Sequence, residues 1–533
     1  MVGMGACVAK MQLCYKLEYL LALAHLASAL TATIPTVAPS GAPVISPSLI
    51  SLSLEQDRWT DWSGTTSRNE FFFNTLDNLK QITGKPPHIR IGANSEDHTD
   101  FNSNVQFAQD IFPAASATVP YPEATNITVG NSYYLTARFL PPGTHVTWGV
   151  NFGQNNITAA FLEARSIKDA FNSPALKSAG IVLDFIEIGN EPDLYRNNGL
   201  RSSSYNSTQY TQEWIRFANN VSAAAGISAT SHTKFIGASF AGSSHGAGFS
   251  PQAIFSAGIL DSAPGKLMST ISQHRYSGSF CSGSEGLLQD LMTKATIRGN
   301  LSTFSPDIAA TRQRGLDYVL GETNSYACHG APGVSNTAGA ALWTLDYALF
   351  APQIGISRVF FHEGVGFKYN LIQPATLTRS TLDGSSLPTP LPPHVQPQYY
   401  AAVVAAEAIG STGLSQAVEL SVDDPTVSGY AFFEGGKLVR ALFVNFKAFL
   451  ASSAARGVVH ISLGFAETST RASNITIKRL AIEHADDTSG LAWGGQSYET
   501  PNGRKSGTLI TTTGSVQSGF DIHDTEAVLI TFD

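Results

Sequence analysis

Between residues 50 and 363 the chain switches repeatedly between two hydrophobic periods. Eight short runs rich in apolar, often β-branched or aromatic residues recur: ISLSLE (50–55), HIRIGA (88–93), HVTWGVNF (145–152), LDFIEIGN (183–190), KFIGASF (234–240), TISQHRY (270–276), DYVLGET (317–323) and ISRVFFHE (356–363). Several are continuous rather than alternating, which is the pattern of parallel strands covered on both faces. Between them apolar positions return at helical spacing: Tyr210, Trp214, Phe217 and Val221 mark one such face, and Ala338, Leu342, Leu345 and Leu349 another. Ser250-Pro251 reads as an N-cap followed by proline at the first helical position. Eight βα units predict an α/β fold, a (β/α)8 TIM barrel spanning 50–410. A doubly wound sheet would carry a glycine-rich phosphate turn after its first strand, and none is present.

After PQYYAAVVAAEAIG (397–410) the period becomes two, in KLVRALFVNF, GVVHISLGF, NITIKRLAI, GTLITTT and EAVLITFD. This predicts a C-terminal all-β sandwich over 411–533. Residues 33–49, rich in Pro, Ser and Ala, read as an extended lead-in that could return to the sandwich as a strand. The first 32 residues place Lys10 and Lys16 ahead of YLLALAHLASAL (19–30), with Ala27-Ser28-Ala29 as a small-x-small cleavage pattern. That is a signal-peptide pattern, too short for a membrane span, and it predicts a secreted protein with no membrane association after cleavage.

Composition narrows the partners. Charged residues are 14% of the 533, against roughly 25% in average proteins, and the net charge is −8. With GRKSG (503–507) as the longest basic cluster, no stripe for a polyanion exists, so nucleic acid is excluded as a partner. Removal of Cys7 and Cys14 with the leader would leave Cys281 and Cys328, an even pair read as one disulfide in an oxidising compartment. Sequons at Asn126, Asn156, Asn206, Asn220, Asn300 and Asn474 fit N-glycosylation of a secreted chain. Nothing in the sequence fixes the oligomeric state.

A barrel gathers its active site at the C-terminal strand ends. Those ends supply Glu55, Asn94 and Asp97, Asn151, Asn190-Glu191, Tyr276, Glu322-Thr323-Asn324 and His362-Glu363. With no HExxH, no CxxC and no zinc-like spacing, neither a metal nor a cofactor is expected. Glutamates on strands four and seven, facing across the mouth, fit hydrolysis of a glycosidic bond. One carboxyl protonates the leaving oxygen, the other attacks the sugar carbon, and a separation of about 5–5.5 Å gives retention. On this reading Glu191 is the acid/base and Glu322 the nucleophile, with Glu55 and Glu363 structural. Taken singly, each residue also fits a helix cap or packed aromatic; the coincidence of Asn-Glu, His-x-Tyr (274–276) and Glu on three strands favours chemistry. Pro192 is expected to hold Glu191 extended. Gly242–Gly246 matches G-x-S-x-G, but Ser244 sits inside a Gly/Ser loop rather than on a strand-to-helix elbow, so a serine hydrolase is disfavoured.

GNEPD, HRY, GETNSYACHGAP and FFHEGVGFKYNLI together resemble glycoside hydrolase family 79, the family of fungal and bacterial β-glucuronidases and of heparanase, over nearly the whole mature chain. The resemblance implies the same two glutamates in the same roles. It further implies Asn190 on the sugar 2-hydroxyl, Asp97 on sugar hydroxyls, and Tyr276 on the nucleophile or the glucuronate carboxylate, with Tyr369 directed at that carboxylate. The loop after Glu322 departs from the pattern: where heparanase-type enzymes have three glycines whose N–H groups bind the carboxylate, this chain has Cys328-His329-Gly330. A Cys281–Cys328 bridge could fix that loop, with Tyr326 as an added hydroxyl donor. An acidic chain without basic runs points to an exo-acting β-glucuronidase releasing terminal glucuronic acid or its 4-O-methyl form. A glucosidase or xylosidase of the same clan, a heparanase-like endo-enzyme and a non-catalytic carbohydrate-binding protein are the alternatives.

Overall fold

The computed structural model describes residues 28–284, 286–466 and 473–533. The eight expected runs form eight parallel strands closed into a barrel: Ile50–Glu55, Ile89–Gly92, His145–Val150, Val182–Ile188, Lys234–Phe240, Met268–Ser279, Asp317–Ala327 and Val359–Glu363. The eighth returns to the first through Val359↔Ile50 to Glu363↔Leu54, which closes the ring. The all-parallel ladder explains the continuous apolar runs, since helices outside and packed side chains inside leave no wet face.

The second unit stacks two sheets. Its larger sheet is built mainly from Gln416–Glu419, Val427–Glu434, Lys437–Asn445, Glu526–Phe532 and Asn474–Ala481, and the smaller from Ser28–Ile34, Val458–Phe465 and Phe520–His523. Alternation along Val427–Glu434 divides the larger sheet's two faces. Ala431 and Phe433 join Ile34, Ile461, Ile522 and Ile530 between the sheets, while Tyr430 and Phe432 join the core shared with the barrel helices. This second contact corrects the one-sided reading of helix Ala338–Phe350, in which every residue is buried. Its outer face is covered by the sandwich, and its one carboxylate, Asp346, is satisfied by the Tyr430 hydroxyl at 2.7 Å and by Arg298.

The leader assignment falls, through residue 27, outside the described residues. Its last part differs from expectation: the strand Ser28–Ile34 runs parallel to Val458–Phe465, from Ser28↔Val459 to Ile34↔Phe465. Ala32 and Ile34, both fully buried, are what the sandwich gains from it. The sheet contribution of the lead-in thus begins earlier in the chain than its composition indicates. No helix among the described residues is long and apolar enough to cross a membrane.

Candidate active site

The fourth strand ends in a forced turn. Gly189 takes φ +80°, and a Cβ there would lie 2.6 Å from Phe152 Cβ and 2.5 Å from the Tyr195 hydroxyl. Glu191 is then left-handed (φ 48°, ψ 51°), not extended as Pro192 alone predicts. Tertiary bonds override the local preference: Glu191 N–H donates to Ser239 O on the fifth strand at 2.9 Å, and its carbonyl accepts from Leu194 N at 2.8 Å. Non-glycine residues at such dihedrals store about 1–3 kcal/mol each and tend to mark functional sites.

This turn and the seventh strand bring the two glutamates together. A carboxylate oxygen of Glu191, a ring nitrogen of His274 and a carboxylate oxygen of Glu322 all lie within 4.8 Å of one another. His274 and Tyr276, two apart on the sixth strand, serve one glutamate each. His274 Nδ1 meets Glu191 Oε1 at 3.0 Å, and the Tyr276 hydroxyl donates to Glu322 Oε1 at 2.7 Å. Arg90 lies beneath them, 1% exposed. Its guanidinium donates to Glu322 Oε2, Ser53, Glu187 and Asn190 Oδ1, each at 2.8 Å. With Oδ1 so engaged, Asn190 keeps its NH2 end for another acceptor.

Electrostatics separate the two carboxyls. Burial by itself would raise Glu322, but the positive fields of His362, His274 and Arg90 and the Tyr276 hydroxyl outweigh it and hold this carboxyl down at about 2. His362 answers in the opposite sense. Burial disfavours its charge, yet Glu322 (3.7 Å) and Glu55 (3.2 Å) on its two nitrogens raise it to about 9. Glu322 is therefore an ionised carboxylate beside a protonated imidazole, 6% exposed. The Glu191 side chain keeps 21% exposure, enough to meet a ligand. Glu55 also accepts from Ser95 N–H, and Glu363 accepts from Leu371 and Ile372 N–H, the structural roles expected of both.

Several sequence-derived assignments change. Asp97 is 3% exposed, and both oxygens are spent on protein donors: Gly153 and Phe152 N–H on Oδ1, the Tyr195 hydroxyl and Asn190 N–H on Oδ2. It clamps the third- and fourth-strand ends instead of gripping sugar hydroxyls. Tyr326 packs its ring along Gly278 and Gly286, each of which has room only for a hydrogen there. The Tyr369 ring lies 6.1 Å from that of Tyr276 and 6.0 Å from His362.

The loop 328–330 adopts glycine dihedrals without being glycines. Cys328, His329 and Gly330 take φ 61°, 69° and 84° in succession. The cost of the two Cβ-bearing residues is borne by tertiary ties: Cys328 is bonded to Cys281, and the His329 ring stacks on Phe367 at 3.9 Å with Nε2 2.7 Å from Glu123. The His329 imidazole and the Gly330 N–H (to Tyr326 O, 3.1 Å) are thereby occupied, so neither serves as a carboxylate donor. The His329 N–H has no hydrogen-bond acceptor among the described residues. Beside it Lys368, 2% exposed, has an ammonium with no hydrogen-bond partner among the described residues, which burial lowers to about 8.

Sequence reasoning missed Arg90 and the contact of His274 with Glu191, whereas Tyr276 on the nucleophile is one of the two partners it expected. The available signal was an arginine in the middle of the apolar run HIRIG, at an inward-pointing position. Ser244 lies in a loop ahead of helix Pro251–Ser256, whose cap is the Ser250 side chain, as the spacing predicts. Asn126, Asn156, Asn206, Asn220 and Asn474 are exposed, whereas Asn300 is half-buried and accepts from Arg275.

Comparisons with known proteins agree with this geometry. Residues 429–529 match the glycosyl hydrolase family 79 C-terminal β domain. A β-glucuronidase of Aspergillus niger is 28% identical over 475 residues, 86% of this chain and 83% of that one. A β-glucuronidase of Neurospora crassa is 27% identical over 516 residues, 88% of each chain. The solved 4-O-α-L-rhamnosyl-β-D-glucuronidase of Fusarium oxysporum 12S shares the fold with a TM-score of 0.74 at 22% identity, over 94% of this chain and 100% of that one. A family 51 arabinofuranosidase of Xanthomonas axonopodis shares it at TM-score 0.60 and 13% identity, over 95% and 100%. These matches make the chain a glycoside hydrolase whose residues 429–529 match the family 79 C-terminal β domain and which is similar over most of its length to β-glucuronidases.

Proposed function

We propose that this protein is a secreted, retaining exo-β-glucuronidase. The observation that carries the mechanism is that carboxylate oxygens of Glu191 and Glu322 come within 4.8 Å of each other, the close approach that a nucleophile and acid/base pair needs. Glu322 attacks the anomeric carbon while Glu191 gives its proton to the departing oxygen, forming a glycosyl ester. Glu191 then takes a proton from water, which attacks the same carbon and frees Glu322. His274 fixes the orientation of the acid/base, and Tyr276 and Arg90 aim the two nucleophile oxygens. The Asn190 NH2, oriented by Arg90, donates to the sugar 2-hydroxyl.

The glucuronide preference is supported by the two β-glucuronidases to which the chain is similar and by the site's polar lining. Tyr369 and the His329 N–H are the donors for the sugar carboxylate. Secretion is supported by the leader pattern and by the disulfide Cys281–Cys328. A panel of nitrophenyl β-glycosides tests the reading. The glucuronide is expected to turn over at least about 10²-fold faster than the glucoside and xyloside, because loss of the carboxylate leaves buried donors unpaired. Equal rates would assign the enzyme to another β-glycoside, and binding without turnover would make it a lectin.

A further inference from the structure

At the opposite mouth of the barrel, the N-terminal ends of four consecutive strands bring three histidines to one aspartate. His88 precedes the second strand, His145 opens the third, Asp184 lies near the start of the fourth and His232 precedes the fifth. His145 Nδ1 is 2.9 Å from both oxygens of Asp184, His232 Nε2 is 2.7 Å from Oδ1, and His88 Nδ1 is 3.8 Å from Oδ2. The His88 and His145 rings stack face to face, 4.7 Å apart and 8° from parallel, which turns both Nδ1 atoms to the same carboxylate.

We propose that His88, His145 and Asp184, whose ligand atoms lie within 4.8 Å of one another, form a binding site for a divalent transition-metal ion, Zn2+ in the first instance, with His232 beside Asp184 on its outer side. Ligands about 2.0–2.2 Å from a tetrahedral zinc lie roughly 3.3 Å from one another. The 2.7–3.8 Å spacings to Asp184 bracket that value. Hydrogen bonding accounts for His145 and His232 but not for His88, whose Nδ1 is beyond hydrogen-bond length yet directed at the carboxylate. Imidazoles and a carboxylate are a borderline donor set that selects Zn2+, Ni2+ or Cu2+ over the oxygen-seeking Mg2+ and Ca2+. The opposing charge is Arg358, held by Ser46 and Ser48, whose field reaches both His88 and Asp184. Asp184 offsets it, and the exposed His232 side chain leaves the outer side of the site open to water. On the face away from Glu191 and Glu322, such an ion would pin strands two to five and stabilise the barrel without joining the reaction.

Chelator-stripped full-length protein, titrated with ZnCl2 and separately with CoCl2, provides the test. One equivalent of zinc should survive dialysis and raise Tm by several degrees, and Co2+ should produce the visible absorption of a low-symmetry nitrogen/oxygen site. His88→Ala and His145→Ala should each weaken binding at least tenfold, with turnover of an aryl glycoside unchanged. Should either variant misfold, His232→Ala, at an exposed side chain, supplies the same comparison. Glu322→Gln should bind zinc like the parent, which separates this site from the Glu191–His274–Glu322 cluster. No retained zinc and no cobalt spectrum, or binding unaltered in the histidine variants, overturns the proposal.

Discussion

The fourth and seventh barrel strands each bring a glutamate to the same mouth, and they treat it oppositely. Glu322 is encased: Tyr276 and Arg90 occupy its two oxygens, His362 stands behind it, and its carboxyl is held at about 2. Glu191 rests on a single imidazole, with its side chain 21% exposed on a left-handed turn. A group surrounded by positive donors is kept ionised and immobile, as a nucleophile must be. A group left with one partner and room beside it can pass a proton both ways. Identical side chains are thereby suited by their surroundings alone to the two different roles proposed for them.

That contrast can be tested from its strongest consequence downwards. Glu322→Gln keeps the shape and removes the anion, so turnover of an aryl β-glucuronide should fall by about 10⁴-fold or more, read from kcat. Glu191→Ala should cost about 10²–10⁴-fold on substrates with poor leaving groups and far less on activated ones, where azide should restore rate. Equal losses on both substrate types would contradict the division of labour. Removing Arg90 attacks what the two strand ends share. Arg90→Met leaves Glu187 and Glu96 buried without their cation, and unfolding stability should drop by about 3–5 kcal/mol in denaturant titration.

His362→Gln separates nucleophile charge from nucleophile identity. Without the neighbouring imidazolium the Glu322 carboxyl rises, moving the acid limb of kcat/KM upward by about one pH unit or more. The stability contributed by His362 has the matching sign. Its value is raised from 6.5 to about 9, so its contribution is complete below pH 6.5 and lost as pH climbs through 9. The Tm gap between parent and variant should close over that interval. The smallest effect is expected at the rim: the Cys281→Ser/Cys328→Ser double variant frees the loop that holds Cys328 and His329 left-handed. KM should rise several-fold with kcat nearly unchanged, because the loss falls on substrate positioning and not on the carboxylate pair.

The chain's periodicity, with the missing glycine-rich phosphate turn, determined the barrel, since strands covered on both faces must read as continuous apolar runs whatever their partners are. It also determined that Glu191 follows the fourth strand and Glu322 lies on the seventh, and that the Gly/Ser loop around Ser244 is no elbow. Much else was decided only in three dimensions. Pro192 predicted an extended Glu191, and a hydrogen bond to the fifth strand made it left-handed. Asp97 sat among rim residues in the sequence, yet four protein donors claimed it. Arg90 reaches Glu322 across 232 residues of chain, and Ser28–Ile34 pairs with a strand more than four hundred residues later. Spacing along a chain reports which face a residue will take, because the backbone repeat is local. Which charge will meet it there depends on closure of the barrel, and that joins residues with no local relation at all.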